Sequence, residues 1–345
     1  MKYVFVLLLL LLSACSYNIE FFQEPFIPEI NTSLPEQNPT YIPSNQHLQE
    51  NETFLSKEFF FEHQDNLFSF NLSLSNQTYL AHQPLSRTYS YRGSLPDDWL
   101  TEYYSMFIFE GFDDELIDSI IQTIKQSDPD MTDVQLVRAV TSFVQYIPYD
   151  WSKVFDVFDS VNYPYETLMR QSGVCSDTTV LLARLLIELD YSVSLFTYEE
   201  ANHIAVGIAC PRGVDNYNSG FCFIETTAPN MIGHIPSSFG VAGEITLDET
   251  PEIVPIHQGR TYAGAQEDFL RRQELTQRYG SSILEMSREK RELYKQITHL
   301  QEELDALGCE GVLPRNLYEE CNTIITTVNY FINEFNTLVD ESRNS

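Results

Sequence analysis

The chain has 345 residues, of which 43% are hydrophobic, and it carries a formal net charge of -30. Because domains usually run about 100 to 200 residues, this length allows one full hydrophobic core and a smaller second unit. The 50 acidic and 20 basic residues give a surface that repels the phosphates of nucleic acids. Nucleic acid is therefore excluded as an expected partner.

The start of the chain has the pattern of an export signal. The apolar run at positions 3–12 is shorter than the roughly 20 residues that a membrane-spanning helix needs, and it fits the core of a signal peptide. The segment 12–15, Leu-Ser-Ala-Cys, resembles the lipobox of prokaryotic lipoproteins, in which the cysteine is acylated. We expect residues 1–14 to be a signal peptide, and Cys15 to attach the exported protein by a lipid to the membrane of the cell envelope. The alternative is an ordinary signal peptide with a chance cysteine near its cleavage site.

Two further segments precede the main domain. Residues 15–54 are rich in Pro, Asn, Gln and Glu without sustained periodicity, a composition typical of a flexible tether. Apolar and polar residues then alternate from Phe68 to Leu74, as in a half-buried strand. We therefore predict a small β-rich accessory segment over residues 55–110.

Helices are predicted in the middle of the chain. Apolar residues recur at helical spacing over 113–125. A second helix is predicted over 132–147, where Thr132 and Gln135 have the spacing of a capping box. The third, over 175–189, is apolar nearly all round, so we expect it to be central and buried.

Strands are predicted after these helices, at 192–197, 203–210 and 221–226. The last two are separated by a Gly- and Asn-rich loop, so an antiparallel pair is expected. This order predicts an α+β domain over residues 111–262, with helices packed on an antiparallel sheet.

The C-terminal residues 265–342 are predicted to form an antiparallel helical hairpin. Apolar residues at alternating spacings of four and three run from Tyr279 to Leu307, and the same rhythm returns from Leu317 to Leu338. Two such helices joined by a short loop form a hairpin. It either packs on the main domain or protrudes as a coiled-coil arm through which the protein forms oligomers.

The six cysteines of the chain have different predicted roles, which follow from their positions. Cys15, the first of them, would carry the lipid. Cys210 and Cys222 end and begin neighbouring predicted strands, and Cys309 and Cys321 flank the turn of the hairpin, so both pairs are placed to form disulfides. Cys175 is left over, either as a reactive thiol or as a buried hydrophobic residue. No closely spaced Cys/His set suggests a metal site, and no cofactor is expected.

Cys175, His203 and Glu225 are the candidate catalytic residues. Cys175 lies where a loop enters the buried helix, and the backbone N–H groups and dipole at that end favour a thiolate. A thiolate needs a base to move protons, and the base needs a third group that fixes its tautomer. His203 and Glu225 are placed to supply these two roles.

The register of the predicted strand pair leaves one alternative open. Because the separation of His203 and Glu225 is even, they share a face of the sheet whenever they oppose each other, and the cysteines then point to the other face. That register places Cys222 opposite Val206 rather than Cys210. Either a β-bulge intervenes or the second disulfide is absent.

Four segments around these residues carry a resemblance to a known family. They are FVQYIPYD at 143–150, YPYETLMRQSGVCSDTTVLLARLL at 163–186, HIAVG at 203–207 and FIETT at 223–227. In order and spacing, over about residues 113–240, they resemble the transglutaminase-like superfamily as prokaryotic genomes carry it. The resemblance implies a papain-like fold in which Cys175 is the nucleophile, His203 the base and acid, and Glu225 stands in place of the more usual aspartate.

The resemblance also implies a reaction. Cys175 would attack an amide carbonyl of a protein or peptide in the cell envelope while His203 protonates the leaving amine, and a thioester would form. Water would resolve the thioester in a peptidase or amidase, and an amine would resolve it in a cross-linking transglutaminase. The alternative function is that of a surface scaffold without catalysis, which binds partners through its coiled-coil arm.

Overall fold

The computed structural model describes residues 53–64, 66–110, 114–154, 160–236, 246–309 and 315–344. The predicted signal peptide, nearly all of the predicted tether, and Cys15 lie outside the described residues. Within the described ranges, every helix is too short or too polar to cross a lipid bilayer.

Helices and two antiparallel sheets make up the described residues, which gives the α+β class that the sequence predicts. The strands are β1 (Phe54–His63), β2 (Asn66–Ser75), β3 (Val193–Tyr198), β4 (His203–Ala209), β5 (Phe221–Ile224) and β6 (Glu252–His257). The helices are α1 (Asn76–His82), α2 (Trp99–Ile108), α3 (Asp114–Gln126), α4 (Asp133–Gln145), α5 (Trp151–Val154), α6 (Pro164–Arg170), α7 (Cys175–Glu188), α8 (Ala265–Tyr279), α9 (Arg288–Leu307) and α10 (Arg315–Asn344). One sheet pairs β1 with β2, and the other has the order β5-β4-β3-β6.

The β1–β2 hairpin belongs to the main core. Its alternate residues Phe59, Phe61, Leu72 and Leu74 are buried. The rings of Phe59 and Phe143 of α4 lie 5.6 Å apart, so the apolar face of the hairpin packs on that helix. The period-two pattern that predicts β2 thus marks the face that the core covers.

The segment after β2 is helical, which corrects the prediction of a β-rich segment over 55–110. Ser75 caps the N-terminus of α1 with its side chain. In α2, Tyr103, Tyr104 and Phe107 are buried at helical spacing, and this helix packs against α7. Strand structure in this part of the chain therefore ends at Ser75.

The three helices predicted in the middle of the chain are confirmed as α3, α4 and α7. The capping box of α4 forms as its spacing predicts: Thr132 Oγ1 accepts from the N–H of Gln135 at 3.3 Å, and Gln135 Oε1 accepts from the N–H of Thr132 at 2.8 Å. Residues Cys175–Leu186 of α7 are all buried. This helix is central, and it carries the candidate nucleophile into the middle of the fold.

The predicted heptad helix that begins at Tyr279 is wrong in its first part. Gly280 ends α8 with φ 86°, a conformation that residues with a Cβ rarely adopt, and a 3-10 helix follows at Ser281–Glu285. Leu284 is buried there, and its carbonyl oxygen accepts from the N–H of Met231 at 3.2 Å. This hydrogen bond thus attaches the 3-10 helix to the main domain before α9 begins.

α9 and α10 form the predicted antiparallel hairpin. The Cys309–Cys321 disulfide joins them at the turn, and the rings of Tyr294 and Phe335 lie 6.1 Å apart farther along the pair. Ile297 and Val328 belong to the apolar cluster between the two helices. A role as a coiled-coil arm for oligomerisation stays a prediction.

Candidate active site

Cys175 is the first residue of α7, as predicted, and it is buried. The preceding loop must pass very close to this helix. A Cβ at Gly173 would meet Cβ of Asp177 at 2.9 Å and Cγ2 of Thr167 at 3.3 Å. Glycine is therefore required two residues before the cysteine, because a larger residue would push the loop away from the helix end.

A buried ion pair that was not predicted from the sequence fixes this loop. Lys153 Nζ lies 2.9 Å from both carboxylate oxygens of Asp177, which also accept from the N–H of Asn162 at 2.7 Å and of Val174 at 3.0 Å. Burial raises the pKa of Asp177, while Lys153 and the donor at Asn162 oppose that rise. Asp177 thus holds three segments around the start of α7. The capping position of Asp177, two residues after Cys175, was the available signal.

His203 and Glu225 form a buried hydrogen-bonded pair. His203 Nε2 and Glu225 Oε2 lie 2.9 Å apart, and both side chains are almost fully buried. Glu225 Oε1 accepts from the N–H groups of Thr226 and Thr227 at 3.0 Å and from Thr227 Oγ1 at 2.7 Å. Burial alone would raise the pKa of Glu225, but His203 and the Thr227 donors outweigh it and lower the pKa to about 2. The carboxylate is therefore ionised at neutral pH.

The ionised state of Glu225 fixes the tautomer of its partner. An ionised carboxylate only accepts hydrogen bonds, so the proton between the two groups belongs to Nε2 of His203. Nδ1 is then the ring nitrogen that exchanges a proton with a reacting group. This is the orienting role that the sequence analysis assigns to Glu225.

The observed strand register differs from the predicted one. β4 and β5 pair Val206 with Ile224 and Ile208 with Cys222, without a register shift. In this register the position opposite His203 lies two residues beyond Glu225, which itself follows the end of β5. The two side chains meet as diagonal neighbours on one face of the sheet, and the longer reach of glutamate suits that separation.

The Cys210–Cys222 disulfide uses the same kind of diagonal contact. Its Cα atoms are 5.7 Å apart, and the bond forms although Cys222 lies directly opposite Ile208. Both predicted alternatives, a bulge or a missing disulfide, are therefore wrong, because each assumed that His203 and Glu225 are directly paired. The predicted separation of faces is confirmed: the two cysteines belong to the main core, whereas Phe223 belongs to the cluster on the other face.

Two threonines join the start of α7 to the His203–Glu225 pair. Thr178 Oγ1 lies 2.9 Å from Oγ1 of Thr226, the residue after Glu225. Thr179 Oγ1 donates to the carbonyl oxygen of Ile204, the residue after His203, at 3.2 Å. The first turn of the helix that begins with the candidate nucleophile is thereby held against both candidate partners.

Cys175 is only 2% exposed and belongs to the main core at the N-terminus of α7. The backbone N–H groups at that end favour the thiolate form of its sulfur. Its role as a reactive thiol stays a prediction.

An aromatic pair lies beside the cysteine loop. The N–H of Asp150 donates to the carbonyl oxygen of Gly173 at 3.1 Å, which pairs the chain around Tyr149 with the loop. The rings of Tyr149 and Trp151 meet edge to face at 4.7 Å. Burial, followed by the negative charges of Glu225 and Asp177, raises the pKa of Tyr149 to about 12. Its phenol stays neutral at physiological pH.

Comparisons with known proteins match part of the chain around this site. Residues 117–211 match a family model described as a transglutaminase-like domain, a range that includes Cys175 and His203 and ends before Glu225. A UPF0252 protein of Pyrococcus furiosus is 38% identical over 53 residues, which are 15% of this chain. The matched part covers 16% of that relative.

Proposed function

We propose, from the transglutaminase-like domain that residues 117–211 carry, that the protein is a cell-envelope lipoprotein with thiol acyl-transfer activity on protein or peptide amides. The observation that supports this most is the buried pair of His203 and Glu225, whose side chains meet at 2.9 Å. This buried histidine is held by an ionised carboxylate, and Thr178 and Thr179 join the residues that follow the pair to the helix that Cys175 begins. A cysteine, a histidine and a carboxylate are the composition of a thiol acyl-transfer site.

The proposed reaction begins from the reduced enzyme. His203 takes the proton of Cys175, and the thiolate attacks the carbonyl carbon of the amide. The tetrahedral intermediate collapses as the C–N bond breaks and His203 returns the proton to the leaving amine. A thioester remains on Cys175. Glu225 keeps its charge throughout and stabilises the imidazolium form of His203.

The second half of the reaction decides the enzyme class. If water attacks the thioester, His203 takes a proton from the water and the products are a carboxylic acid and the free thiol. If an amine attacks, a new amide forms and two chains are cross-linked. We propose hydrolysis, which needs no second bound chain, as the primary activity, and transfer to an amine as its variant.

We also propose that a lipid anchors the protein to a membrane. The segment at residues 1–15 supports acylation of Cys15 and attachment outside the cytoplasm, where the substrates would be proteins or peptides of the envelope. A Cys15→Ser variant should appear in the soluble extract instead of the membrane fraction. Equal membrane recovery of both forms would contradict the anchor.

A scaffold function is the second candidate, because Cys175 is only 2% exposed and its sulfur therefore has little access to a substrate. In that case the domain would bind partners through the α9–α10 hairpin, and Cys175 would serve only as a buried apolar residue. The two functions differ in whether the reduced thiol is activated by His203.

The activation of Cys175 can be measured directly. The full chain is reduced, and alkylation of Cys175 by iodoacetamide at neutral pH is followed by peptide mass spectrometry in wild type, His203→Ala and His257→Ala. His257 ends β6 at the far edge of the same sheet, so it is the matched control. We expect the His203 change alone to slow alkylation at least about tenfold, because the thiolate loses its partner cation. Equal rates in all three proteins would refute the enzymatic proposal.

The substrates can then be sought in the envelope. Proteomics of envelope proteins with and without the Cys175→Ala variant should reveal peptides that are cleaved or cross-linked only when the thiol is present.

A further inference from the structure

His203 has a neighbour on each side in the sheet, because β4 lies between β3 and β5. On one side, Glu225 meets its Nε2 at 2.9 Å. On the other side, Tyr198 at the end of β3 is its direct partner across the strands, and the two ring centroids lie 6.2 Å apart at an interplanar angle of 36°. Residues paired directly across two strands share a face of the sheet, so the Tyr198 ring covers the side of the imidazole that faces β3.

Tyr198 presents an uncharged ring to the histidine. It is only 1% exposed, and its ring meets that of Phe223 edge to face at 6.3 Å. Both residues belong to the apolar cluster on this face of the sheet. Burial and then the hydrogen bond with Tyr217 raise the pKa of Tyr198, and the negative charge of Glu225 adds to the rise. The phenol is therefore neutral at physiological pH.

Tyr217 holds the phenol of Tyr198 from a strained turn. Tyr217 and Asn218 have φ values of 57° and 55°, and the N–H of Ser219 donates to the carbonyl oxygen of Asn216 at 3.1 Å, the pattern of a type I′ turn. Asn, Asp and Gly are the usual residues at such positions, and a bulky side chain there is strained. The hydroxyl oxygens of Tyr217 and Tyr198 lie 3.2 Å apart. A less strained Asn or Gly has no phenol with which to bind Tyr198.

This strain points to a role in the site. Residues in sparsely populated backbone conformations persist only where the surrounding structure holds them, and they cluster at functional sites. The turn of Tyr217 lies between β4, which begins with His203, and β5, which Glu225 follows. The hydrogen bond between these two residues is stronger where water does not compete for the carboxylate. A ring fixed beside the imidazole keeps that water out.

We propose that Tyr198 is a positioning residue for the proposed acyl transfer: its ring holds the imidazole of His203 where Nε2 meets Glu225, and it excludes water from that bond. Tyr217 acts through Tyr198, because its hydroxyl fixes the phenol. The catalytic part of this role rests on the proposed function, whereas the position of His203 is measurable without turnover.

Proton exchange at Nε2 of His203 tests the position directly. The full chain carries isotope-labelled histidine, and NMR follows the exchange of this proton with water, with His203→Ala used to assign the signal. In Tyr198→Leu, water should reach the bond, and exchange should be at least about tenfold faster than in wild type. Tyr198→Phe keeps the ring and loses only the bond to Tyr217, so its exchange rate should lie closer to that of wild type. Equal acceleration in Tyr198→Phe and Tyr198→Leu would overturn the role of the ring.

Tyr191→Leu is the matched control for loss of a buried tyrosine. Tyr191 is 2% exposed and lies before the opposite end of β3, so its variant should lose similar packing and leave exchange at His203 unchanged. A wild-type exchange rate in Tyr198→Leu, or equal acceleration in Tyr191→Leu, would overturn the proposal.

Tyr217→Phe tests the support of Tyr198 without a large change in the core, because Tyr217 is only half-buried. It removes the same hydrogen bond as Tyr198→Phe, so both variants should speed the exchange by similar factors. A wild-type rate in both would show that the phenol pair does not hold the ring.

Alkylation of reduced Cys175 by iodoacetamide separates this role from the proposed function. Tyr198→Leu should slow alkylation relative to Tyr198→Phe and Tyr191→Leu, because the imidazole no longer supports the thiolate. If His203→Ala is alkylated as fast as wild type, the proposed function fails, while proton exchange still decides the position of His203. If His203→Ala slows alkylation and Tyr198→Leu does not, the catalytic role of Tyr198 is overturned.

Discussion

Glu225 accepts more hydrogen bonds than a carboxylate needs in order to orient a histidine. One oxygen meets His203, and the other accepts from two backbone N–H groups and the Thr227 hydroxyl. These bonds keep the side chain in a single position although glutamate has one more rotatable bond than aspartate. The departure from the usual aspartate is thus compensated by the turn that follows β5.

The first prediction concerns the pH dependence of this pair. The pKa of Glu225 is about 2 in the folded protein, against 4.5 as its ordinary value. Because the folded value is lower, ionised Glu225 stabilises the fold above about pH 4.5, and this contribution is lost as the pH falls toward 2. The difference corresponds to roughly 3 kcal/mol at neutral pH.

Urea unfolding of wild type and Glu225→Gln measures that contribution. The variant should be less stable at pH 7, and the gap should shrink steadily between pH 4.5 and pH 2. Glu200→Gln, at an exposed position, is the control for loss of one charge from an acidic chain. A gap that does not change with pH would show that Glu225 is not held ionised by its partners.

The second prediction concerns the Lys153–Asp177 pair beneath the cysteine loop. In Lys153→Met, the buried carboxylate of Asp177 loses its counter-ion, and the free energy of unfolding should fall by about 3–5 kcal/mol. Adding Asp177→Asn removes the unpaired charge and keeps one acceptor oxygen, for the N–H of either Asn162 or Val174, so it should restore part of the stability. If the double variant is no more stable than the single one, the loop is held by something other than this charge pair.

Among the helices and strands, those whose structure is determined by a short stretch of sequence could be predicted. The capping box and apolar faces of α4 and α7 were predicted because both depend on neighbours three and four residues away. β6 was missed because Pro255 argues against a strand. The sheet order explains its presence, since β6 is an edge strand, where proline is tolerated.

Features that depend on contacts between residues far apart in sequence could not be predicted. His203 and Glu225 contact each other as diagonal neighbours because of the register of β4 and β5. The even separation of the two residues in sequence predicts only that they share a face of the sheet. Lys153 gave no local sign of its role, because its partner Asp177 lies on a different helix. The break of the predicted heptad at Gly280 reflects contacts between the 3-10 helix and the main domain.

The third prediction concerns the α9–α10 hairpin. The Cys309–Cys321 bond closes a short loop with a sequence separation of 12, and a loop of this size is worth about 3 kcal/mol in the chain-entropy model. The double variant Cys309→Ser/Cys321→Ser should lose hydrogen-exchange protection in α9 while α7 keeps its own. Equal loss in both helices would mean that the hairpin is an integral part of the main core.

At the scale of the whole molecule, charge is the dominant feature. The carboxylates that give the net charge of -30 repel one another in the compact folded state. This repulsion should lower the free energy of unfolding at low ionic strength. Salt shortens the range of this repulsion to about 8 Å at 0.15 M. We therefore predict, as the fourth outcome, that the midpoint of urea unfolding rises when sodium chloride is increased from low to physiological concentration. A midpoint that falls would indicate that the surface ion pairs outweigh the repulsion.

In the proposed function, reduced Cys175 forms a thioester with the help of His203. The most direct measurement is intact and peptide mass spectrometry of the reduced full chain after brief exposure to p-nitrophenyl acetate, in wild type, Cys175→Ala and His203→Ala. We expect one acetyl group on Cys175 in wild type, its removal by hydroxylamine, and little or no label in either variant. Acetylation of Cys175 at the same rate without His203, or none on Cys175 in wild type, would contradict it.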